Sequence, residues 1–367
     1  MKKKILHVSA GGLNPGGVAS VIFSIVEPLS SDFDFDCVVF NRVSEGEEAF
    51  KKYGRIHRIH CYPKKGKRDY LELILRPWKL YFGIRRICKN EKYDVIHCHN
   101  QRDAWICLLA AKRAGVKIRI AHSHNTNSPK RKNIVEKVYK QISPKMLTKV
   151  STINIGCSRA ACKDLFEHDN FEVVLNAVNL QRFVPQKKLA KTRLEFVHVG
   201  RYTYQKNQEF LLDAFAEICK RFPTAHLNLV GYGEPELVQR LKNQIKLLGI
   251  SNNVEMVPGD AVNVADYYAR SDYMIFPSRF EGFGIVLIEA QAMGVQCYVS
   301  ENIQPEADVG LLTFLSLSDG PKKWAEYIIQ DIENGNEKAL DHEKLAQYSI
   351  ENVAKRYAAI YRGETMQ

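Results

Sequence analysis

In the stretch "PSRFEGFGIVLIEAQAMG", Pro277 to Gly294, two glutamates, Glu281 and Glu289, stand eight residues apart, with glycines close after the first. Carboxylates accept hydrogen bonds from hydroxyl groups and are poor partners for phosphates. Glycines let backbone approach a ligand, and amides at a helix start favour an anion. If residues 281–284 form a loop and a helix begins near Ile285, Glu289 falls in its second turn. The amides of Phe283 and Gly284 then point at an anion, and the carboxylates reach hydroxyls on either side of it. Upstream, "VGRYTYQKN" places Arg201 and Lys206 five residues apart just past an apolar run. A forked guanidinium and a point-charge ammonium suit a diphosphate. "VGYGE" supplies Gly231 and Gly233, where a flat base or a ribose could lie against backbone. A phosphate group with sugars on both sides satisfies all these groups, which is the chemistry of a nucleotide-sugar.

The first half carries weaker signals. "AGGLNPGGVAS" leads through Gly16 and Gly17 into a helical pattern. It could cradle an anion, or be only a tight strand-to-helix turn; it is neither G-x-G-x-x-G nor a Walker A loop. "HCH" at 97–99 and "HSH" at 122–124 end two apolar runs, and alternation puts each histidine pair on one face. A metal site would need further ligands, and only Cys98 is near in sequence, so no metal is expected. The better reading is one imidazole at a strand end bonding a hydroxyl-rich ligand. "DFDFD" at 32–36 mimics an Asp-x-Asp metal motif. As the opening of a strand it needs no metal: the aspartates would face water, and Phe33 and Phe35 the core.

These residues need rigid elements to hold them. Short β-branched runs alternate with helical patterns: "KKILHVSA", "FDCVVF", "YDVIHCH" and "VKIRIAHSH", then, after a polar stretch at 179–193, "LEFVHVG", "AHLNLVG", "NVEMVPG", "YMIFPS" and "VQCYVS". That rhythm predicts two doubly wound α/β domains, each a parallel sheet covered on both faces. The expected boundaries are 1–180, 181–341 and a tail, 342–367, whose helix closes back toward the N-terminal domain. Ligands in such sheets bind outside the carboxyl ends of the strands, so two facing sheets would leave a cleft between the domains.

At 367 residues the chain is long enough for two cores. Nine cysteines without paired spacing suggest reduced thiols in the cytoplasm. The apolar run after "MKKK" is short and broken by His7, which argues against a secretory leader, and no run approaches a membrane span. The net charge of +12 is lopsided: residues 1–150 hold 30 Lys+Arg against 13 Asp+Glu, and the remainder is net acidic. Such a half either meets a polyanion or is simply a solvated basic surface. Nucleic acid is the weaker candidate, since no recognition module accompanies the charge. In "RPWKLYFGIRRICKN" aromatic and basic residues interleave, which suits an anionic membrane surface; as an ordinary amphipathic helix it would instead bury Leu80, Ile84 and Ile87.

Nearly the whole chain resembles a retaining glycosyltransferase of the two-domain Rossmann-like (GT-B) architecture, of family four. The matching segments are "NPGGVAS", "YDVIHCHN", "RIAHSHNT", "VVLNAVNLQRF", "VGRYTYQKN", "LVGYGE" and "PSRFEGFGIVLIEAQAMGV". "RIAHSHNT" and "EAQAMG" are further similar to bacterial exopolysaccharide and capsular polysaccharide transferases. "NAVN" at 176–179 departs from the family's Asn-Gly-Val-Asp, at a hinge position. The resemblance implies that Gly16 and Gly17 border the donor phosphate and sugar and that His124 sits beside the transferred sugar. It places Arg201 and Lys206 on the diphosphate, Glu281 with the Phe283 and Gly284 amides on the donor sugar, and Glu289 on the ribose. The implied donor is a UDP-sugar by analogy, the acceptor a saccharide or lipid-linked hydroxyl, and no cofactor is needed. A nucleotide-sugar epimerase or a phosphorylase on the same plan, or a silent partner subunit, would share much of this pattern.

Overall fold

The computed structural model describes residues 2–14, 16–40, 43–61, 70–100, 103–124, 134–185, 192–259 and 262–364. Pro15 of "NPGGVAS", Asn125 and Thr126 of "RIAHSHNT", and residues 186–191 of the polar stretch lie outside them. The chain divides into two compact units, one of residues 1–177 with 348–367, the other of residues 178–347.

The first unit holds a seven-stranded sheet: β1 (Lys3–Ser9), β2 (Phe33–Phe40), β3 (Ile56–Ile59), β4 (Val95–Cys98), β5 (Ile118–Ser123), β6 (Ile153–Gly156) and β7 (Glu172–Val173), in the order 3-2-1-4-5-6-7. The second holds six strands: β8 (Glu195–Val199), β9 (His226–Gly231), β10 (Val254–Pro258), β11 (Tyr273–Phe276), β12 (Gln296–Ser300) and β13 (Leu312–Leu315), in the order 10-9-8-11-12-13. Every ladder is parallel. Parallel strands need crossovers that cover both faces, which is why strand interiors such as "FVHV" are buried throughout. In each sheet the order reverses beside the first strand, between β1 and β4 and between β8 and β11. Loops leaving those strands diverge to opposite faces and open a crevice at their carboxyl ends.

One face of the first sheet packs Leu6, Val8, Ile96, Cys98 and Ala121 against Leu80, Ile84 and Ile87 of helix Tyr70–Glu91 and Leu108 of helix Ala104–Arg113. The tail forms two helices, His342–Ala346 in the second unit and Ile350–Arg362 in the first. The break falls where Ser349 caps the latter, its hydroxyl accepting from the Asn352 amide at 3.2 Å. Helix Ile350–Arg362 packs on helix Gly17–Leu29 and buries Val353, Tyr357, Ile360 and Tyr361. Lys3 Nζ meets its terminal carbonyls of Tyr361 and Arg362 at 3.3 and 2.9 Å, where a cation is favoured.

"DFDFD" opens β2 with Phe33 and Phe35 buried, as alternation requires, but its aspartates do not all face water. Asp34 is exposed, whereas Asp36 is buried and bonded by Arg55 and Tyr93, with His57 at 3.5 Å. Those donors hold its carboxyl well below the usual range despite burial. It is a structural anchor between β2 and β3.

Candidate active site

In the second unit the predicted residues converge at the carboxyl ends of β8 and β11. β8 runs into the loop Gly200–Asn207 and helix Gln208–Arg221, and β11 into the loop Pro277–Gly284 and helix Ile285–Ala292. That helix starts at the expected residue, with Gly284 as its N-cap at φ +92°, a conformation glycine adopts without strain. Glu289 lies in its second turn.

The loops are stitched by residues the spacing alone did not mark. Asn207 sits in the left-handed region at φ 59°, donates from Nδ2 to the Pro277 carbonyl at 3.1 Å and accepts from Arg279 at 2.6 Å. Gln205 donates to the Phe280 carbonyl at 2.9 Å, and the Arg279 amide returns a bond to the Gln205 carbonyl at 2.8 Å. A non-glycine residue held at positive φ by tertiary bonds is a feature that clusters at functional sites.

Within this frame Lys206 Nζ lies 2.8 Å from Glu281 Oε1, the side chains 16% and 8% exposed. The ammonium also sits over the Phe276 ring, 4.3 Å from its centroid, a cation–π contact. Gly200 makes room for the lysine stem, since a Cβ there would come within 3.3 Å of Lys206 Cε. Beneath it, His198 donates from Nδ1 to the Ile275 carbonyl at 2.9 Å, which leaves Nε2 to accept from Gln208 at 3.3 Å. Burial lowers His198 to about 4, so it is neutral beside the ammonium. Gln208 also donates to the Arg201 carbonyl at 3.0 Å, while the Arg201 side chain is exposed and has no partner among the described residues. A tethered cation and an exposed one thus follow β8, and a helix N-terminus follows its neighbour β11, an arrangement whose charges and amides suit an anion.

Glu289 is half-buried and accepts from the Tyr268 hydroxyl at 3.2 Å. Burial raises its pKa from 4.5 to about 7, outweighing the Tyr268 bond and the charge of Arg182. Phe283 packs its ring into the interior. Gly231 and Gly233 lie at the β9 exit as expected, but their missing side chains make room for protein. A Cβ on Gly231 would lie 2.1 Å from the Gly200 carbonyl oxygen, and one on Gly233 would lie 2.7 Å from Tyr202 Cβ. That close approach accounts for both glycines without a ligand. A surface cavity of about 730 Å³, lined by Arg193, Asp272 and Gln296 among others, opens at the opposite, amino-terminal end of this sheet.

In the first unit Gly16 is the N-cap of helix Gly17–Leu29, and both glycines are exposed. The preceding loop is tied to β4's exit by the Ala10 amide, which donates to Asn100 Oδ1 at 2.6 Å. His97, His99, His122 and His124 lie on one face, as alternation predicts, and they join His7 from β1 and Tyr361 from the last helix. All six are buried, and burial keeps the histidines neutral, His7 and His124 lowered to about 3. The register that sets His7 beside His97 is a tertiary fact invisible to spacing within either motif.

Comparison with known proteins decides the family. Residues 15–182 match the model for Glycosyltransferase Family 4, and residues 181–355 that for Glycosyl transferases group 1. The chain belongs to the family 4 glycosyltransferases. This glycosyltransferase is 27% identical to EpsF of Bacillus subtilis, over 92% of this chain and 90% of EpsF. It is 24% identical to the capsular polysaccharide biosynthesis glycosyltransferase CapH of Staphylococcus aureus, over 99% of each chain. Its fold matches the crystal structure of Anabaena HepE in complex with UDP and glucose at a TM-score of 0.76 and 17% identity, over 97% of this chain and 98% of that one. Two parallel-sheet α/β units of this kind are the GT-B architecture. Among the described residues no helix is long and apolar enough to cross a membrane.

Proposed function

We propose that this glycosyltransferase moves a sugar from a nucleoside-diphosphate sugar, a UDP-sugar in the first instance, to a hydroxyl of a saccharide or lipid-linked acceptor. The transfer proceeds with retention, in the synthesis of a bacterial surface polysaccharide. The observation that carries the reading is the Lys206–Glu281 pair beside exposed Arg201 and the start of helix Ile285–Ala292. It joins a diphosphate's charge complement to a carboxylate suited to sugar hydroxyls. CapH's role in capsule synthesis and HepE's binding of UDP and glucose support the polymer and the donor. Glu281 takes the donor sugar, Glu289 the ribose, and Gly16, Gly17 and His124 the phosphate and transferred sugar. The bond from the anomeric carbon to the diphosphate breaks as the acceptor oxygen bonds on the same face. The acceptor's proton passes to the departing phosphate oxygen. Arg201 and Lys206 stabilise the charge that gathers there, so no cofactor or divalent cation is required.

A donor panel tests this. UDP-, GDP- and ADP-sugars are screened by thermal stabilisation and nucleotide release, with and without a chelator, and the product's anomeric configuration is read by NMR. One UDP-sugar should stabilise the protein and turn over unchanged in the chelator. Conversion of the donor to an epimeric sugar in place of transfer to an added saccharide acceptor would favour an epimerase, and turnover restored only by magnesium or manganese would overturn the metal-free site.

A second reading concerns place. Helix Tyr70–Glu91 buries Leu80 and Ile84 against the sheet, yet Trp78 and Phe82 stand 61% and 56% exposed, their rings stacked 6.2 Å apart. They share the helix with Lys79, Arg85 and Arg86. Two exposed aromatics among cations suit an anionic lipid surface, where each basic residue adds about 1 kcal/mol, screened by salt. The protein should sediment with anionic liposomes at low salt, and Trp78→Ala/Phe82→Ala should not. Equal sedimentation of both would remove the helix from that role.

A further inference from the structure

Five imidazoles and one phenol of the first unit form an unbroken chain of hydrogen bonds. His122 Nδ1 lies 3.0 Å from His97 Nε2, and His97 Nδ1 lies 2.8 Å from the Tyr361 hydroxyl. The hydroxyl lies 3.4 Å from His7 Nε2. His7 Nδ1 is 3.0 Å from His99 Nε2, and His99 Nδ1 is 2.7 Å from His124 Nε2. Among the described residues no carboxylate enters the chain.

A neutral imidazole has one donor nitrogen and one acceptor. Neutral rings joined through both nitrogens must all point one way, and the Tyr361 hydroxyl, whose single proton has no acceptor outside the row among the described residues, carries that direction across; only two protonation patterns remain, with every bond pointing one way or every bond reversed. The ends choose between them. His122 Nε2 is buried and has no partner among the described residues. A buried N–H is orphaned more rarely than a buried acceptor, so Nε2 is the bare imine nitrogen. The Tyr357 hydroxyl points to the same choice. It too is buried without a partner among the described residues, its ring is 6.2 Å from His122's, and it can donate.

We infer that the chain runs from His122 to His124, so that each of the five histidines carries its proton on Nδ1 and His124 presents an Nδ1–H donor to an oxygen of the ligand. Tyr361 is a positioning residue: it accepts from His97, donates to His7 and so sets the tautomer of His124 three hydrogen bonds away. The helix that ends the chain thereby governs a group at the carboxyl end of β5. The direction rests on the geometry of the rings; that its end meets the donor sugar rests on the function proposed above. The same histidines form two triplets, His7, His97 and His99, and His99, His122 and His124, in each of which one nitrogen per ring lies within 4.8 Å of the others, close enough for a metal ion. A metal would take lone pairs that the chain already uses, so the two occupants exclude each other.

The test is nitrogen NMR of the full chain labelled in histidine, without donor. Neutral histidine in water prefers the proton on Nε2, and His198 and His226 also direct Nδ1 at an oxygen acceptor, so the signature is Nδ1 protonation at all five rings of the row once each resonance is assigned. Tyr361→Phe keeps the ring and removes the link; His124 should then shift toward the Nε2–H form. With a donor sugar that turns over, kcat should fall about tenfold, the worth of one neutral hydrogen bond, with donor KM little changed. Phe33→Leu loosens a ring packed 5.5 Å from Tyr361 but keeps the hydroxyl, and should leave the tautomers unchanged. A wild-type His124 protonated on Nε2, a His124 indifferent to Tyr361→Phe, or one equivalent of zinc displacing these protons would each overturn the inference. The wild-type spectrum decides the direction even if a variant fails to fold. An intact signature without turnover on any nucleoside-diphosphate sugar would support the chain and remove the donor reading.

Discussion

Lys206→Ala should lower kcat by about 10²-fold or more, the loss seen when one donor aimed at a developing oxyanion is removed. Arg201→Ala should do the same through the exposed cation, since negative charge grows on the diphosphate as the sugar leaves. The lysine differs in having a partner already. Glu281 is 8% exposed, so removing the ammonium breaks a buried ion pair and should cost roughly 3 kcal/mol of stability. A lower kcat could then reflect a damaged fold. The double variant Lys206→Ala/Glu281→Gln separates the two effects. It removes the carboxylate's charge as well and should regain most of the thermal midpoint, while kcat stays well below that of Glu281→Gln alone, the control for the donor-sugar contact assigned to Glu281. If activity returns with stability, Lys206 only neutralises Glu281, and the diphosphate must be held elsewhere.

The pairing also revises how the site is built. Spacing within "EGFGIVLIE" and "GRYTYQKN" correctly placed a helix start at Ile285 and a cation-bearing loop after β8. It assigned Lys206 and Glu281 to separate parts of a ligand, whereas the free protein holds them together at 2.8 Å. Linear sequence cannot reveal that contact, because it depends on β8 and β11 being neighbours, a consequence of strand order. Asn207 and Gln205 escaped for the same reason: their partners lie in the loop after β11, some seventy residues away. In the first unit the histidine pairs were visible, while His7 and Tyr361 enter through the β1–β4 register and the last helix. The strands that periodicity missed, β3, β6, β7 and β13, are short. "IHRI" is only partly buried and alternates too little to stand out. Long buried strands announce themselves by composition; edges and cross-loop contacts do not.

Glu289→Gln should raise the donor KM and leave kcat nearly unchanged, because a ribose contact far from the breaking bond is similar in ground and transition states. The titration of Glu289 gives a sharper signature than the substitution alone. Its pKa in the free protein is raised to about 7 by burial, and ribose hydroxyls donate best to the ionised carboxylate. Donor binding should therefore draw that pKa down, and by linkage the donor KM should fall about tenfold between pH 6 and pH 8. Glu289→Gln, which cannot ionise, should show a weak and pH-independent KM. Stability runs the other way. The folded pKa lies above the unfolded value of 4.5, so the native state binds the proton more tightly, and this carboxyl stabilises less and less as pH rises from 4.5 through 7. Glu289→Gln should accordingly gain thermal midpoint over wild type at pH 8 and not at pH 5. Measuring donor KM and thermal midpoint for both proteins at these pH values keeps the two effects apart. A wild-type KM flat with pH, beside a midpoint that behaves as described, would leave Glu289 a half-buried carboxyl of the fold and remove it from the ribose.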